Sequence, residues 1–285
     1  MQTITVIDKL LSYTCLSVQE LIGASFYEQA KSEFEEFLTL LESGEVRVAR
    51  KNHEGCWVVN ADIKKVILLG FRLGQLVAMG DQALSFVDKD TFPIRQFHPD
   101  QKIRLVPGGV SVRRGTYVAQ SVIIMPPSFI NVGAFVDEGT MVDSHALVGS
   151  CAQIGKRVHL SAGVQVGGVL EPIGELPVVI EDDVFIGGNS GVYEGTHVGH
   201  RAVIGAGVIL TKSSRVYDLV NECTISASEG VPLQIPANAV VVAGSRKIKG
   251  QFAEEHGLSL NAPIIVKYRD DKTDAKTALE HSLRS

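Results

Sequence analysis

Two hydrophobic periods divide the chain. In SFYEQAKSEFEEFLTLL, residues 25–41, Phe26, Ala30, Phe34, Phe37, Leu38 and Leu41 recur at helical spacing, and Ser43-Gly44 supplies a stop, so an amphipathic helix is predicted. VRVARKNHEGCWVV reads as two short strands around the turn Asn52-His53-Glu54-Gly55, followed by a helical pattern from Asp62 to Leu73 that ends at Gly74. After Pro107-Gly108-Gly109 the helical spacing disappears. An aliphatic then stands at every sixth position from Val112 and Val118 through to Val166 without a miss, which chance would give on the order of 10⁻⁵ of the time. Four residues past each aliphatic comes a second position, nearly always small or β-branched, as at Thr116, Thr140 and Ala152. The segment GVLEPIGELPVV shifts the phase by two, read as a two-residue bulge. The register resumes from Ile180 to Val216 and returns at Ile235 and Val241.

Period six fits neither a helix at 3.6 nor a half-buried strand at 2. It suits a short strand plus a tight corner, three of which close an 18-residue triangular coil with the aliphatics stacked inside. A mainly β solenoid is therefore predicted, with glycines such as Gly155, Gly199 and Gly205 taking unusual corner dihedrals. The domain limits read as an α-rich N-terminal domain over 1–106, a β-helix over 107–249 and a small C-terminal cap over 250–285. Within the cap, APIIVKYRD predicts a strand and DAKTALEHSLRS a short helix.

Composition narrows the function classes. The net charge of −5 lacks the basic excess of a nucleic-acid binder, and no apolar run approaches a membrane span. Cys15, Cys56, Cys151 and Cys223 form no C-x-x-C pair and read as reduced packing residues in a cytoplasmic protein. No Gly-rich phosphate loop stands between a strand and a helix, which argues against nucleotide hydrolysis or a dinucleotide site.

Several stretches are more specific than the period: ESGEVRVARK, DIKKVILLGFR, RLVPGG, DEGTMVDSHALVGSCAQIGK with VHLSAG, VVIEDDVFIG and IVKYRDDKTDAKT. Together they resemble the tetrahydrodipicolinate N-succinyltransferase family of hexapeptide-repeat acyltransferases, over nearly the whole chain. The resemblance implies a left-handed parallel β-helix and transfer of a succinyl group from succinyl-CoA to the amino group of ring-opened tetrahydrodipicolinate, on the diaminopimelate route to lysine. It also implies a homotrimer with sites between subunits and no metal. Such chemistry needs a group to take the amine's proton, donors for the thioester oxygen and cations for the carboxylates.

By motif, Asp143 in MVD matches the family's substrate-binding acid, expected to hold the substrate ammonium and help take its proton. Arg104 matches a substrate-carboxylate arginine. Glu194 matches the glutamate of a VEG element and is a second catalytic candidate; counted as eight hexads beyond Asp143, it falls on another face. Relatives often carry Ala-Arg-Ser-Glu after FIG, whereas Asn189 and Gly191 stand at the arginine and glutamate places here. For coenzyme A, Gly168, Ala206 and Gly244 are candidates for close backbone approach and Lys247 for phosphate. The bland alternative is that these merely satisfy coil corners and a solvated turn. Three other functions remain open: the related N-acetyltransferase using acetyl-CoA, a zinc lyase of the gamma-carbonic-anhydrase type using histidines such as His145, His159, His197 and His200, and a non-enzymatic solenoid scaffold.

Overall fold

The computed structural model describes residues 2–80 and 85–270. Its centre is a three-faced β-helix. Parallel pairing links Val112 to Ile130 to Val148, Val118 to Val136 to Ile154, and Ile124 to Val142 to Leu160, each step being 18 residues. The period-six aliphatics all turn inward and are essentially inaccessible. The second periodic position fills the corners: Thr116, Thr140 and Ser190 are buried and donate their hydroxyls to the carbonyls of Asn131, Gly155 and Gly205, 2.8–3.0 Å away. The first parallel pairing, Arg104 with Ile123, precedes the Pro107-Gly108-Gly109 texture change.

The phase shift is larger than a two-residue bulge. Ile154 pairs with Ile180, 26 residues on instead of 18, so the insertion is eight residues: one whole hexad plus two. A shift counted in phase sees only the remainder. The same loop displaces the face count, and Val192 lies seven strands after Val142, not eight. Seven is no more a multiple of three than eight, so Asp143 and Glu194 still belong to different faces.

The corner glycines also differ from expectation. None of Gly155, Gly199 and Gly205 has a positive φ; that conformation falls two residues later, at Gly133, Gly139 and Gly163 and also at His145 and Asn189. Gly155 and Gly199 are needed for space instead, because a Cβ there would come within 2.7 Å of the next coil's backbone.

The N-terminal region packs against one prism face. α1 (Gln2–Tyr13), α2 (Val18–Gly23), α3 (Tyr27–Ser43) and α4 (Ala61–Leu73) bury Phe34, Phe37, Ile67 and Leu73 in one cluster, which the corner residues Val132 and Cys151 of the prism join. α3 ends at Gly44 in the left-handed conformation, and β1 (Ala49–Lys51) pairs antiparallel with β2 (Trp57–Val59), as the pattern predicted. α1 and α2 were not predicted, although Ser17 and Glu20 form a capping box that marks the start of α2. Also unpredicted is the hairpin of β3 (Leu76–Gly80) and β4 (Ser85–Lys89). Of the cysteines only Cys151 is buried, its thiol pushed up to about 12 by burial; Cys15, Cys56 and Cys223 are exposed, so packing explains one of the four.

The inserted loop is tied to the helices by Lys64, which is fully buried and donates to the carbonyls of Glu175 (2.6 Å) and Pro172 (3.4 Å). At the far end a long antiparallel hairpin, Ala239–Lys247 with Ser259–Tyr268, leaves the prism and carries α5 (Gln251–Glu255) at its tip. The expected strand over 262–270 is the return arm of that hairpin. The helix expected over 274–285 lies outside the described residues.

Candidate functional site

The three prism faces are unequally occupied. One carries Tyr117, Phe135, Gln153, Val179 and His197 as its outward column and is covered by the chain's own N-terminal region. Here Tyr117 stacks on Phe135 at 4.1 Å, and Arg47 lies 3.5 Å over the Phe135 ring while donating to Gln153 Oε1 at 2.5 Å. Burial brings the Arg47 guanidinium down to about 10. Glu181 joins the two parts. Its carboxylate accepts from Lys51 Nζ (2.6 Å), Trp57 Nε1 (3.0 Å) and the His200 amide (3.1 Å), and lies 3.2 Å from His197 Nε2. His197 first, then Lys51 and Trp57, hold this carboxyl far below the usual range despite burial. A cleft of about 610 Å³ beside it is lined by Arg47, Trp57, Asp137, Glu181, Asp182 and His200.

The second face presents Arg104, Ile123, Met141, His159, Phe185 and Val203 in register. Asp143 follows the buried Val142 of this face. It is half-buried, and one carboxylate oxygen accepts from its neighbour's amide, Ser144 N, at 2.7 Å. His159, one strand on, stacks on Phe185 at 5.2 Å. Burial pushes the His159 imidazole below its ordinary value, and the nearby Asp143 charge opposes that shift. The shift favours the neutral ring, the form able to accept a proton. Arg104 is exposed, two strands below Met141, so the two motif-matched substrate residues share one face.

The third face presents Ser111, Phe129, Leu147, Gln165, Gly191 and Ile209, with Phe129 and Ile209 exposed. Tyr193 follows its buried Val192. Glu194 stands just beyond, at the corner between this face and the covered one, exposed and accepting from the Lys212 amide at 2.8 Å. Gly168 occupies the same edge, and a Cβ on it would lie 2.5 Å from Ser150 N, so close coil packing already requires a glycine there. Ala206 is exposed at the corner after the Asp143 face. Gly244 and Lys247 lie on the departing hairpin, where Ile264 leans over Gly244. The structure thus groups Arg104, Asp143 and Ala206 along one face and its edge, and puts Gly168 and Glu194 on another edge.

The histidines diverge. His159 is on the Asp143 face, His197 is engaged with Glu181 on the covered face, His200 stands 3.8 Å from Asp183, and His145 is exposed at a corner. Among the described residues no group of three His, Cys, Asp or Glu side chains is arranged to hold a metal ion, and no helix is long and apolar enough to cross a membrane. Tyr193 stands out by no motif, and the sequence suggests His159 only as a zinc ligand. The available signals were the glycines at 167 and 191, which clear space around Tyr193, and the 18-residue register, which aligns Met141 with His159.

Comparison with known proteins follows the same division. Residues 18–73 match the family described as tetrahydrodipicolinate N-succinyltransferase N-terminal, and residues 177–212 match the hexapeptide repeat of succinyl-transferase. The 2,3,4,5-tetrahydropyridine-2,6-dicarboxylate N-succinyltransferase of Agrobacterium fabrum is 47% identical over 253 residues, covering 87% of this chain and 86% of its own. The protein of the same name from Pseudoalteromonas translucida is 45% identical over 261 residues, covering 90% of each. Among solved structures, a putative 2,3,4,5-tetrahydropyridine-2-carboxylate N-succinyltransferase from Campylobacter jejuni is 19% identical, with a TM-score of 0.50 over 82% of this chain and 62% of that one, a likeness of fold.

Proposed function

The chain belongs to the tetrahydrodipicolinate N-succinyltransferase family, and on that premise we propose that its acyl transfer takes place between the two uncovered prism faces of neighbouring copies in a homotrimer. It is an acyltransferase that N-succinylates 2,3,4,5-tetrahydropyridine-2,6-dicarboxylate, a step of lysine and diaminopimelate biosynthesis. The observation that carries the placement of the site is the unequal covering of the faces. A ring of identical subunits needs two different complementary patches on each copy, and this prism has two faces left bare over most of their length, the far end of the second being closed at Val203 by the C-terminal hairpin. The left-handed coil and a cytoplasmic location belong to the same reading.

Asp143 holds the substrate ammonium and, with the neutral His159 beside it, takes the proton that the amine sheds. Arg104 pairs with a substrate carboxylate. The amine nitrogen then attacks the thioester carbon, the carbon–sulfur bond breaks, and coenzyme A leaves as the thiol after gaining a proton. Succinyl-CoA is the donor. Its pantetheine lies along the corner of Ala206 toward Gly244, and Lys247 and its neighbours on the departing hairpin answer the phosphate charge. Gly168 and Glu194, on the other edge, join the site only through a neighbouring copy.

Steady-state kinetics with both donors test the donor assignment: kcat/KM should favour succinyl-CoA over acetyl-CoA by about tenfold or more. A preference for acetyl-CoA would instead support the N-acetyltransferase reading. A monomeric mass in sedimentation under assay conditions would remove the shared site.

A further inference from the structure

Tyr193 is seated in a way that nothing in the repeat requires. Its backbone is fixed on both sides, the amide donating to Leu210 O at 2.9 Å and the carbonyl accepting from Thr196 Oγ1 at 2.7 Å. Its ring lies back across the outer surface over two residues without side chains. A Cβ on Gly191 would stand 2.3 Å from Tyr193 Cε2 and 2.8 Å from its hydroxyl oxygen, and one on Gly167 would stand 2.9 Å from Cδ1. Glycine inside a strand weakens it, and a glycine kept there commonly marks close approach by another group. Here the group is a phenol. Its hydroxyl makes no hydrogen bond among the described residues, although the side chain is half-buried.

Position along the prism says what that hydroxyl can reach. Tyr193 follows the strand Gly191–Val192, two coils beyond the strand Leu147–Val148 that shares a coil with Asp143, about 10 Å along the axis. Ala206 follows the strand Val203–Ile204, one coil further, and Gly244 lies beyond that. The phenol is thus intermediate between the level of the acyl acceptor and the level assigned to coenzyme A. The thioester must sit where those two meet.

We propose that Tyr193 is a catalytic residue of the acyl transfer, its hydroxyl donating a hydrogen bond to the thioester carbonyl oxygen from the face opposite Asp143. This rests on the shared-site reading above. As the amine attacks, the carbonyl electrons move onto that oxygen; when they return, the carbon–sulfur bond breaks. Tyr193 keeps its proton throughout and lowers the energy of the oxygen-centred charge. Gly167 and Gly191 are positioning residues that keep the ring's seat clear. The phenol also occupies the space that a longer side chain at position 191 would take.

The test is Tyr193→Phe, which preserves the ring and its seat, assayed beside wild type with succinyl-CoA and tetrahydrodipicolinate. An inactive wild type would count against the acyl-transfer reading itself; an active one makes the comparison specific to Tyr193. The expected result is a kcat reduced roughly 10- to 100-fold, with KM for both substrates, oligomeric mass and melting temperature unchanged. Gly191→Ala, which pushes the ring aside, should lose activity similarly, and the double variant should be no worse than Tyr193→Phe alone because both remove one interaction. Turnover of Tyr193→Phe within twofold of wild type, or a defect confined to the KM of the acceptor, overturns the assignment.

Discussion

Glu181 and Asp143 occupy the same place in the hexad, one residue past a buried aliphatic, on different faces of the prism. Glu181 is surrounded by His197, Lys51, Trp57 and the His200 amide, all of which stabilise its charge. Among the described residues Asp143 accepts one hydrogen bond, from the next residue's amide, and leaves its remaining acceptor capacity toward an uncovered face. One repeat therefore makes two kinds of carboxylate. Where the chain supplies the donors, the carboxylate holds two parts of the fold together; where it does not, the donors are left to a substrate.

That contrast breaks if the two sites respond alike. The largest expected effect is on turnover: Asp143→Asn should lower kcat by roughly 10²–10⁴-fold while stability shifts by less than about 0.5 kcal/mol, read by kinetics and thermal melting of one preparation. Asp137→Asn is the control. Asp137 has the same local bond, its carboxylate accepting from Glu138 N at 2.8 Å, but it lies in the cleft of the covered face near Arg47. Its turnover should stay near wild type. Glu181→Gln should show the opposite pattern, a loss of about 1–3 kcal/mol in urea unfolding with near-normal kcat below the transition.

Acid should act through the same carboxylate. Because Glu181 has a folded pKa below its unfolded value of 4.5, its contribution is present above that value and is lost as pH falls below it. Contact between the N-terminal region and the prism should weaken first, measurable as earlier hydrogen exchange in β1 and β2 than in the prism strands. The smallest effect is an invariance. The His159 imidazole is depressed below 6.5, so kcat should change little above pH 7 and reach half its plateau only on the acid side of 6.5. A rise in kcat centred at or above pH 7 would show that burial does not govern this ring.

The difference between the faces was only partly visible in the sequence. Period six identifies the prism because each aliphatic is selected by one invariant requirement, an inward place in a coil. It also says that Asp143 points outward. It cannot say which face a neighbour covers, because covering depends on how helices far away in sequence dock. Glu181 reads as one more corner acid until Trp57 and Lys51 arrive from 124 and 130 residues away. The eight-residue loop looks like two in the sequence because a phase shift reports only the remainder after whole hexads. Glycine roles were inverted for a similar reason: composition shows that glycine is present, whereas only the coil-to-coil approach shows that Gly155 and Gly199 are needed for space. Asp143 and Arg104 were found by motif, and the 18-residue register explains why they share a face. Tyr193 carries no motif, and its interest lies in two glycines separated from each other by 24 residues.

A site divided between the open faces of neighbouring copies can be probed by mixing defects. Asp143→Asn and Tyr193→Phe chains are unfolded together at equal concentration, refolded as mixed trimers and assayed for turnover per chain. If each site takes Asp143 from one copy and Tyr193 from the next, about a quarter of the sites in random trimers are intact, and activity rises above both parents to about a quarter of wild type. If both residues act within one chain, the mixture shows only the mean of the two parents, and the divided site is contradicted.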